Sequence, residues 1–201
     1  MKVLIIGAGA IGIALGTFLK SQNAEVDLFA RGKTLEAIQQ KGIRRTGLFG
    51  EYTCPAGTIG VYAAYEELPE EAYDYVIITT KTMANSTVSR SLWEAKACMK
   101  PQGKLVIMQN GWGNDKPYLE YFPKEQVYNA RVITGFQRTE ANVSHITVHT
   151  APILLGSLQG CENVCMEPLA QALDQAGMPT QVSDELEKYL WAKMLYNTTL
   201  N

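Results

Sequence analysis

The sequence predicts an α/β fold: a Rossmann-like, doubly wound, mostly parallel sheet, followed by the start of a truncated all-helical domain. Three observations predict it. Apolar strands alternate with amphipathic helices from Val3 to Asn110, as they do where parallel strands are joined by crossover helices. The first strand runs into G-A-G-A-I-G, Gly7 to Gly12, where the first helix opens. The last helix, "YLWAKMLYNTTLN", carries a polar stripe among apolar neighbours. The expected division is residues 1–182 as a dinucleotide-binding domain and 183–201 as the first helix of a second domain.

Val3 to Ile6 is a short apolar run that stops at a glycine, as a strand buried on both faces does. Ala10 to Ser21 follows as a helix. "AEVDLFA" is the second strand, and "TLEAIQQKG" a short helix closed by Gly42. "GIRRTGLFGEYTCPAGTIGVYAAY" is rich in glycine and β-branched residues and reads as an inserted β-hairpin region. "YDYVIITTK" is the next core strand. "STVSRSLWEAKACM" is a helix stopped by Pro101, and "KLVIMQNG" a strand ending in polar residues. Beyond about Gln126 come strands joined by turns: "QVYNARVITGFQR", "VSHITVHT" and "PILLGS". The helix "VCMEPLAQALDQAG" and the short strand "PTQVS" follow. The final helix begins at Ser183 or Asp184, with Asp184, Glu185 and Glu187 in its first turn. Apolar on nearly every side, it reads as buried. It has no C-cap, so more chain is expected to follow it and the sequence reads as a fragment.

Composition narrows the function classes. Hydrophobic residues are 46% and charged residues 19%, ordinary for a globular protein. A net charge of −2 leaves no basic field for nucleic acid or an anionic membrane. The cysteines, Cys54, Cys98, Cys161 and Cys165, form no C-x-x-C pair. They read as reduced thiols, which places the protein in the cytoplasm. The uncharged stretch from Val3 to Leu19 imitates a signal peptide or a short membrane span. Neither accounts for its glycines, whose spacing does.

In that spacing Gly7 permits the tight turn, Gly9 lets the backbone approach a pyrophosphate, and Gly12 lets the helix pack on the sheet. The N–H groups of Ala8, Ala10 and Ile11 complete the loop at a helix N-terminus that favours anions. A second strand about twenty residues on ends in "LFARGK". Where an NAD site places an acid for the ribose hydroxyl, this chain has Arg31, with Lys33 nearby. A guanidinium suits a 2′-phosphate, so the expected cofactor is NADPH. Asp27 lies too early to be the ribose acid. Lys81, in "ITTKT", and Asn110, in "MQNGWGN", follow core strands at the sheet edge where ligands bind. Both are candidates to line the nicotinamide and substrate. His145 and His149 share one strand face, which reads more simply as solvated polar surface than as a metal site.

Lys193, Asn197 and Asn201 recur every four residues and share a helix face. A reductase of a ketone needs a proton donor for the new hydroxyl. A lysine among apolar neighbours has its pKa lowered toward that use. Neutral asparagines hydrogen-bond a hydroxy or keto acid without adding charge.

"KVLIIGAGAIG", "FAR", "YDYVIITTK", "QNGWGN" and "LWAKMLYNTTLN", in this order, resemble the ketopantoate reductase (2-dehydropantoate 2-reductase) family along the whole chain. The resemblance implies hydride transfer from NADPH to the C2 ketone of ketopantoate, giving pantoate for coenzyme A. It implies Lys193 as general acid, Asn110, Asn197 and Asn201 as substrate contacts, and Lys81 and Asn110 beside the nicotinamide. Such proteins continue into a helical domain that closes the cleft. Three other readings stay open: a reductase of another branched 2-keto acid, a non-catalytic NADP(H)-binding redox sensor, and a hydroxyacid or glycerol-phosphate dehydrogenase. The expected partner is a small 2-keto acid, and a homodimer is an open option.

Overall fold

The computed structural model describes residues 1–95 and 98–200, with side chains up to Leu195 in the last helix. In chain order its elements are β1 (Lys2–Ile6), α1 (Ala10–Ser21), β2 (Glu25–Phe29), α2 (Gly32–Lys41), β3 (Ile43–Gly47), β4 (Tyr52–Cys54) and β5 (Gly60–Tyr62). There follow β6 (Tyr73–Ile78), α3 (Asn85–Glu94), β7 (Met99–Ile107), α4 (Lys116–Leu119), β8 (Val127–Glu140), β9 (Val143–Gly156), α5 (Glu167–Gln175), β10 (Thr180–Val182) and α6 (Leu186–Leu200).

Among the described residues the strands form one sheet, ordered β4-β3-β9-β8-β7-β6-β1-β2-β5, with β10 also on β9. From β5 to β8 every pairing is parallel. Taken as the first to sixth parallel strands, they run 3-2-1-4-5-6, the Rossmann order. The order reverses between β1 and β6, which leaves a crevice there at the carboxyl edge. Each central strand is apolar on both faces. Val3 and Ile5 join a core with α1 and α5, while Leu4 and Ile6 join a second core with α3 and Tyr118.

Helix α1 explains why the N-terminus imitates a membrane segment. Gly12 to Leu19 are all buried. One side lies on the sheet, and β3 closes the other: a Cβ on Gly16 would stand 3.0 Å from Ile43 Cδ1. No helix among the described residues is long and apolar enough to cross a membrane.

Three expectations need correction. Pro101 does not stop a helix. Helix α3 ends at Glu94, and Pro101 lies inside β7. "VSHITVHT" and "PILLGS" are one strand, β9, antiparallel to β8. The ladder shifts register between Arg131 and Ile133, opposite Pro152, which has no N–H to give it. Helix α6 is not buried all round. Leu186 and Leu190 pack on Leu154 with Trp112 and Leu158, but Trp191 and Leu195 are 45% and 64% exposed. It starts later than expected because Ser183 N–H still bonds Leu155 O on β9, and Asp184 accepts from Asn163.

Leu186 is fully buried and anchors α6. Leu186→Ala is expected to cost about 2–5 kcal/mol, read as a lowered urea midpoint. An unchanged midpoint would show that α6 contributes nothing to the cooperative unit.

Candidate active site

The glycine loop opens α1 at the crevice. Gly7 has φ +111°, and a Cβ there would lie 2.7 Å from Thr80 N. A Cβ on Gly12 would lie 2.2 Å from Gly7 O. These two glycines are required by the protein's own packing. Gly9 differs: a Cβ there would meet nothing within 4 Å. Its open side, with Gly7, Ala8, Ala30, Arg31, Thr80 and Arg138, borders a cavity of ≈ 320 Å³. Ala10 and Ile11 form the first turn of α1, where no acidic residue stands to compete for its free N–H groups.

Hydrogen bonds between neutral groups tie the loops after β1, β6 and β7. Thr79 Oγ1 donates to Gly7 O at 2.6 Å. Gln109 Nε2 donates to Thr80 O (2.8 Å) and to Asn85 Oδ1 (2.7 Å). Asn85 Oδ1 also accepts from Tyr118 OH, and Asn85 Nδ2 donates to Asn114 O and Oδ1. Asn114 Nδ2 then donates to Asn110 O at 3.0 Å. Asn85, Gln109, Asn114 and Tyr118 are all buried. Asn110 itself is exposed, on the last step of a rigid support.

Lys193 reaches this support from α6. Its Nζ donates to Asn110 Oδ1 and to Val132 O, each at 2.5 Å. Because Asn110 Oδ1 accepts from Lys193, its Nδ2 is left as a donor toward the cleft. Val132 O is available because the β8–β9 ladder skips that residue opposite Pro152. Burial, and then the nearby Arg131 charge, hold the Lys193 ammonium below the ordinary lysine pKa. Trp191 stacks at a tilt on Trp112, ring centroids 4.7 Å apart, beside this cluster.

The other expected residues are placed as follows. Arg31 precedes α2, exposed, with its guanidinium 5.3 Å from the Phe29 ring centroid. Lys81 is exposed after β6; its carbonyl accepts from Ala84 N–H at 2.9 Å, and its ammonium makes no hydrogen bond or ion pair among the described residues. The structure does not bring it to Lys193. Asn201 and the side chain of Asn197 lie outside the described residues. Asp27 is buried and accepts from Tyr73 OH at 2.7 Å, away from the cavity. His145 and His149 are half-buried and hydrogen-bonded through Nδ1 to Thr46 and Thr134. Phe49 packs edge-on to His149.

Over residues 3–160 the chain matches the family described as Ketopantoate reductase PanE/ApbA. The chain belongs to this family. It is 30% identical to the 2-dehydropantoate 2-reductases of Aquifex aeolicus and Archaeoglobus fulgidus, over all of its own length and 61% and 62% of theirs. The 2-dehydropantoate 2-reductase structure from Geobacter metallireducens superposes with a TM-score of 0.86 at 26% identity, covering 98% of this chain and 62% of that one. A ternary structure of D-mandelate dehydrogenase with NADH and anilino(oxo)acetate shares the fold, with a TM-score of 0.81 at 20% identity.

Sequence reasoning missed two arginines of this reductase-family chain. Arg138, far along the β8–β9 hairpin, lines the cavity opposite Arg31 and donates to Thr34 Oγ1 and Ala141 O. Arg131 lies buried beneath α6. The only signal for either was an arginine in a strand, read without knowing which face it served. A larger cavity, ≈ 620 Å³, lies elsewhere, between α3 and β7 near Trp93 and Phe122. It holds none of the expected site residues.

Asn85 is the hub of the loop network. Asn85→Ala leaves Gln109, Tyr118 and Asn114 without a shared partner and is expected to cost about 1–3 kcal/mol. Thermal melting measures this. An unchanged melting temperature would mean that the network is not what fixes the Asn110 loop.

Proposed function

We propose that this chain carries the cofactor site and proton donor of an NADPH-dependent 2-dehydropantoate reductase, whose product pantoate feeds pantothenate and coenzyme A synthesis. The observation that carries the reading is Lys193 Nζ held at 2.5 Å from Asn110 Oδ1 at the carboxyl edge of the sheet, where open α/β sheets bind ligands. Membership of the family supports the substrate. We assign residues 1–182 to the cofactor domain and 183–201 to the opening helix of a helical substrate domain.

The residues fit a dinucleotide phosphate. Gly9 leaves open space at the N-terminus of α1, and Arg31 and Arg138 face the same cavity. No carboxylate forms an ion pair with either arginine among the described residues. Both can pair with a 2′-phosphate, while Gly7 to Gly12 cradle the pyrophosphate. Lys81, in the loop after β6, would line the nicotinamide. When bound, NADPH supplies the hydride that adds to C2 of the keto acid.

The chain supplies the rest. Lys193 donates a proton to the carbonyl oxygen as it becomes a hydroxyl. Asn110 and Val132 O hold the ammonium in place, and Asn110 Nδ2 offers a hydrogen bond to the substrate. Asn197 and Asn201, at four-residue steps beyond Lys193, are assigned to further substrate contacts. A lowered lysine pKa makes the proton easier to give at neutral pH.

Two tests separate the parts. Arg31→Ala is expected to weaken NADPH by ~1–3 kcal/mol while leaving NADH unchanged, followed by fluorescence titration. Equal losses for both nucleotides would overturn the 2′-phosphate assignment. Lys193→Ala is expected to keep NADPH binding and lose roughly 10²–10⁴-fold in turnover of 2-dehydropantoate. The acid must be protonated, so turnover should fall as pH rises through the Lys193 pKa. That limb should lie below the ordinary lysine value of 10.5. Undiminished turnover in Lys193→Ala would leave a cofactor-binding module without this acid.

A further inference from the structure

Arg131 is a cation in the wrong place for a structural residue. It is 6% exposed. Among the described residues no carboxylate lies within ion-pair distance. Its Nη2 donates to Pro152 O at 3.0 Å, and its Nε has no acceptor. The guanidinium lies 5.6 Å from the Tyr189 ring centroid, one helical turn before Lys193 on α6. An unpaired buried charge costs several kcal/mol unless something compensates.

The rest of the surroundings sharpen the point. Asn129, two residues back on the same strand face, also has a buried Nδ2 without an acceptor. Burial first, and then the Arg131 charge, lower the Lys193 pKa. Here β8 presents Asn129 and Arg131, and α6 adds Lys193, so donors and two cations meet with no ion-paired carboxylate among the described residues. Arg45, the other buried arginine, is different. It lies 3.9 Å from the Phe18 ring and 5.2 Å from the Tyr52 ring, and it donates to Thr17. Its charge is sandwiched and remote from the cleft.

We propose that Arg131 is a specificity-determining residue that receives the carboxylate of a 2-oxo acid while Lys193 takes the adjacent keto oxygen. This rests on the reductase reading above. A 2-oxo acid carries its carboxylate and ketone on neighbouring carbons, so its two oxygen groups need two neighbouring donors. Arg131 and Lys193 provide them from β8 and α6. Lys193 is anchored on the carbonyl of Val132 and Arg131 on that of Pro152, two residues that face each other where the β8–β9 register shifts.

The test uses oxamate, an unreactive 2-oxo acid analogue, and its neutral partner ethyl oxamate. Each is titrated calorimetrically into the chain saturated with NADP+. The wild type is expected to prefer oxamate by at least about tenfold, the scale of one charge-assisted contact. Arg131→Gln should erase the preference, and Arg131→Lys should retain part of it. NADP+ affinity should stay constant in all three. The proposal is overturned if Arg131→Gln keeps the oxamate preference. It is equally overturned if the wild type shows none, a result that needs no variant to fold. Oxamate preference without turnover of 2-dehydropantoate would sink the ketopantoate assignment and leave this inference standing.

Discussion

The ammonium of Lys193 is held half-buried by neutral acceptors alone, and much of the architecture exists to make that possible. A lysine in water has all its N–H groups solvated. Here it has Asn110 Oδ1 and Val132 O, and each acceptor has a separate structural cause. Val132 O is spared from the β ladder by a register shift opposite Pro152. Asn110 is fixed by an amide network that runs back through Asn114, Asn85 and Gln109 to Thr80. A carboxylate in either place would hold the proton on lysine and raise its pKa. Neutral acceptors orient the group without that penalty to proton release.

The same loops also fix the glycine turn at the N-terminus of α1. Gly12 brings α1 so close to β1 that Gly7 O is in contact range, and Thr79 Oγ1 bonds that same carbonyl. The turn that exposes the N–H groups of α1 and the turn that leads to Asn110 therefore belong to one hydrogen-bonded unit. A shift in one is transmitted to the other through buried groups with no water to replace a lost partner. One rigid unit carrying both turns is what the proposed two-substrate reaction would need, because reacting atoms must be held within a few tenths of an ångström.

Much of this was legible in the sequence, and the reasons are specific. The 3-2-1-4-5-6 core followed from strands apolar on both faces and from the Gly7–Gly9–Gly12 spacing, which are local signals. The polar stripe led to Lys193 because helical periodicity puts it on a defined face. The partner carbonyl of Val132 was not legible, since a bulge is a property of two strands in register. Pro152 was its one trace, and it was read as a break between strands. Arg138 and Arg131 were missed for a related reason. A strand arginine has no periodic signature, and its role depends on what the hairpin folds against. The exposure of α6 was misjudged because apolar content says how much a helix could bury, not what is there to bury it.

Charge gives the sharpest contrast between composition and site. The chain is slightly acidic, at −2, which leaves no basic field over the molecule as a whole. It says nothing about the cleft. The carboxylates of the central strands are neutralised in place: Asp74 by Lys100 at 2.6 Å and Asp27 beside Lys2 at 3.7 Å. Both pairs lie on the amino-terminal side of the cleft, near the starts of β1, β6 and β7. Arg31, Arg138, Arg131 and Lys193, gathered toward the carboxyl edge, form no ion pair among the described residues. A sheet with paired charges at one edge and unpaired cations at the other is polarised along its strands. Its field favours an anionic ligand at the carboxyl edge although the molecule as a whole repels one. The sign of the net charge and the sign of the charge at the carboxyl edge are thus set separately, the second by a few cations that no carboxylate pairs with among the described residues.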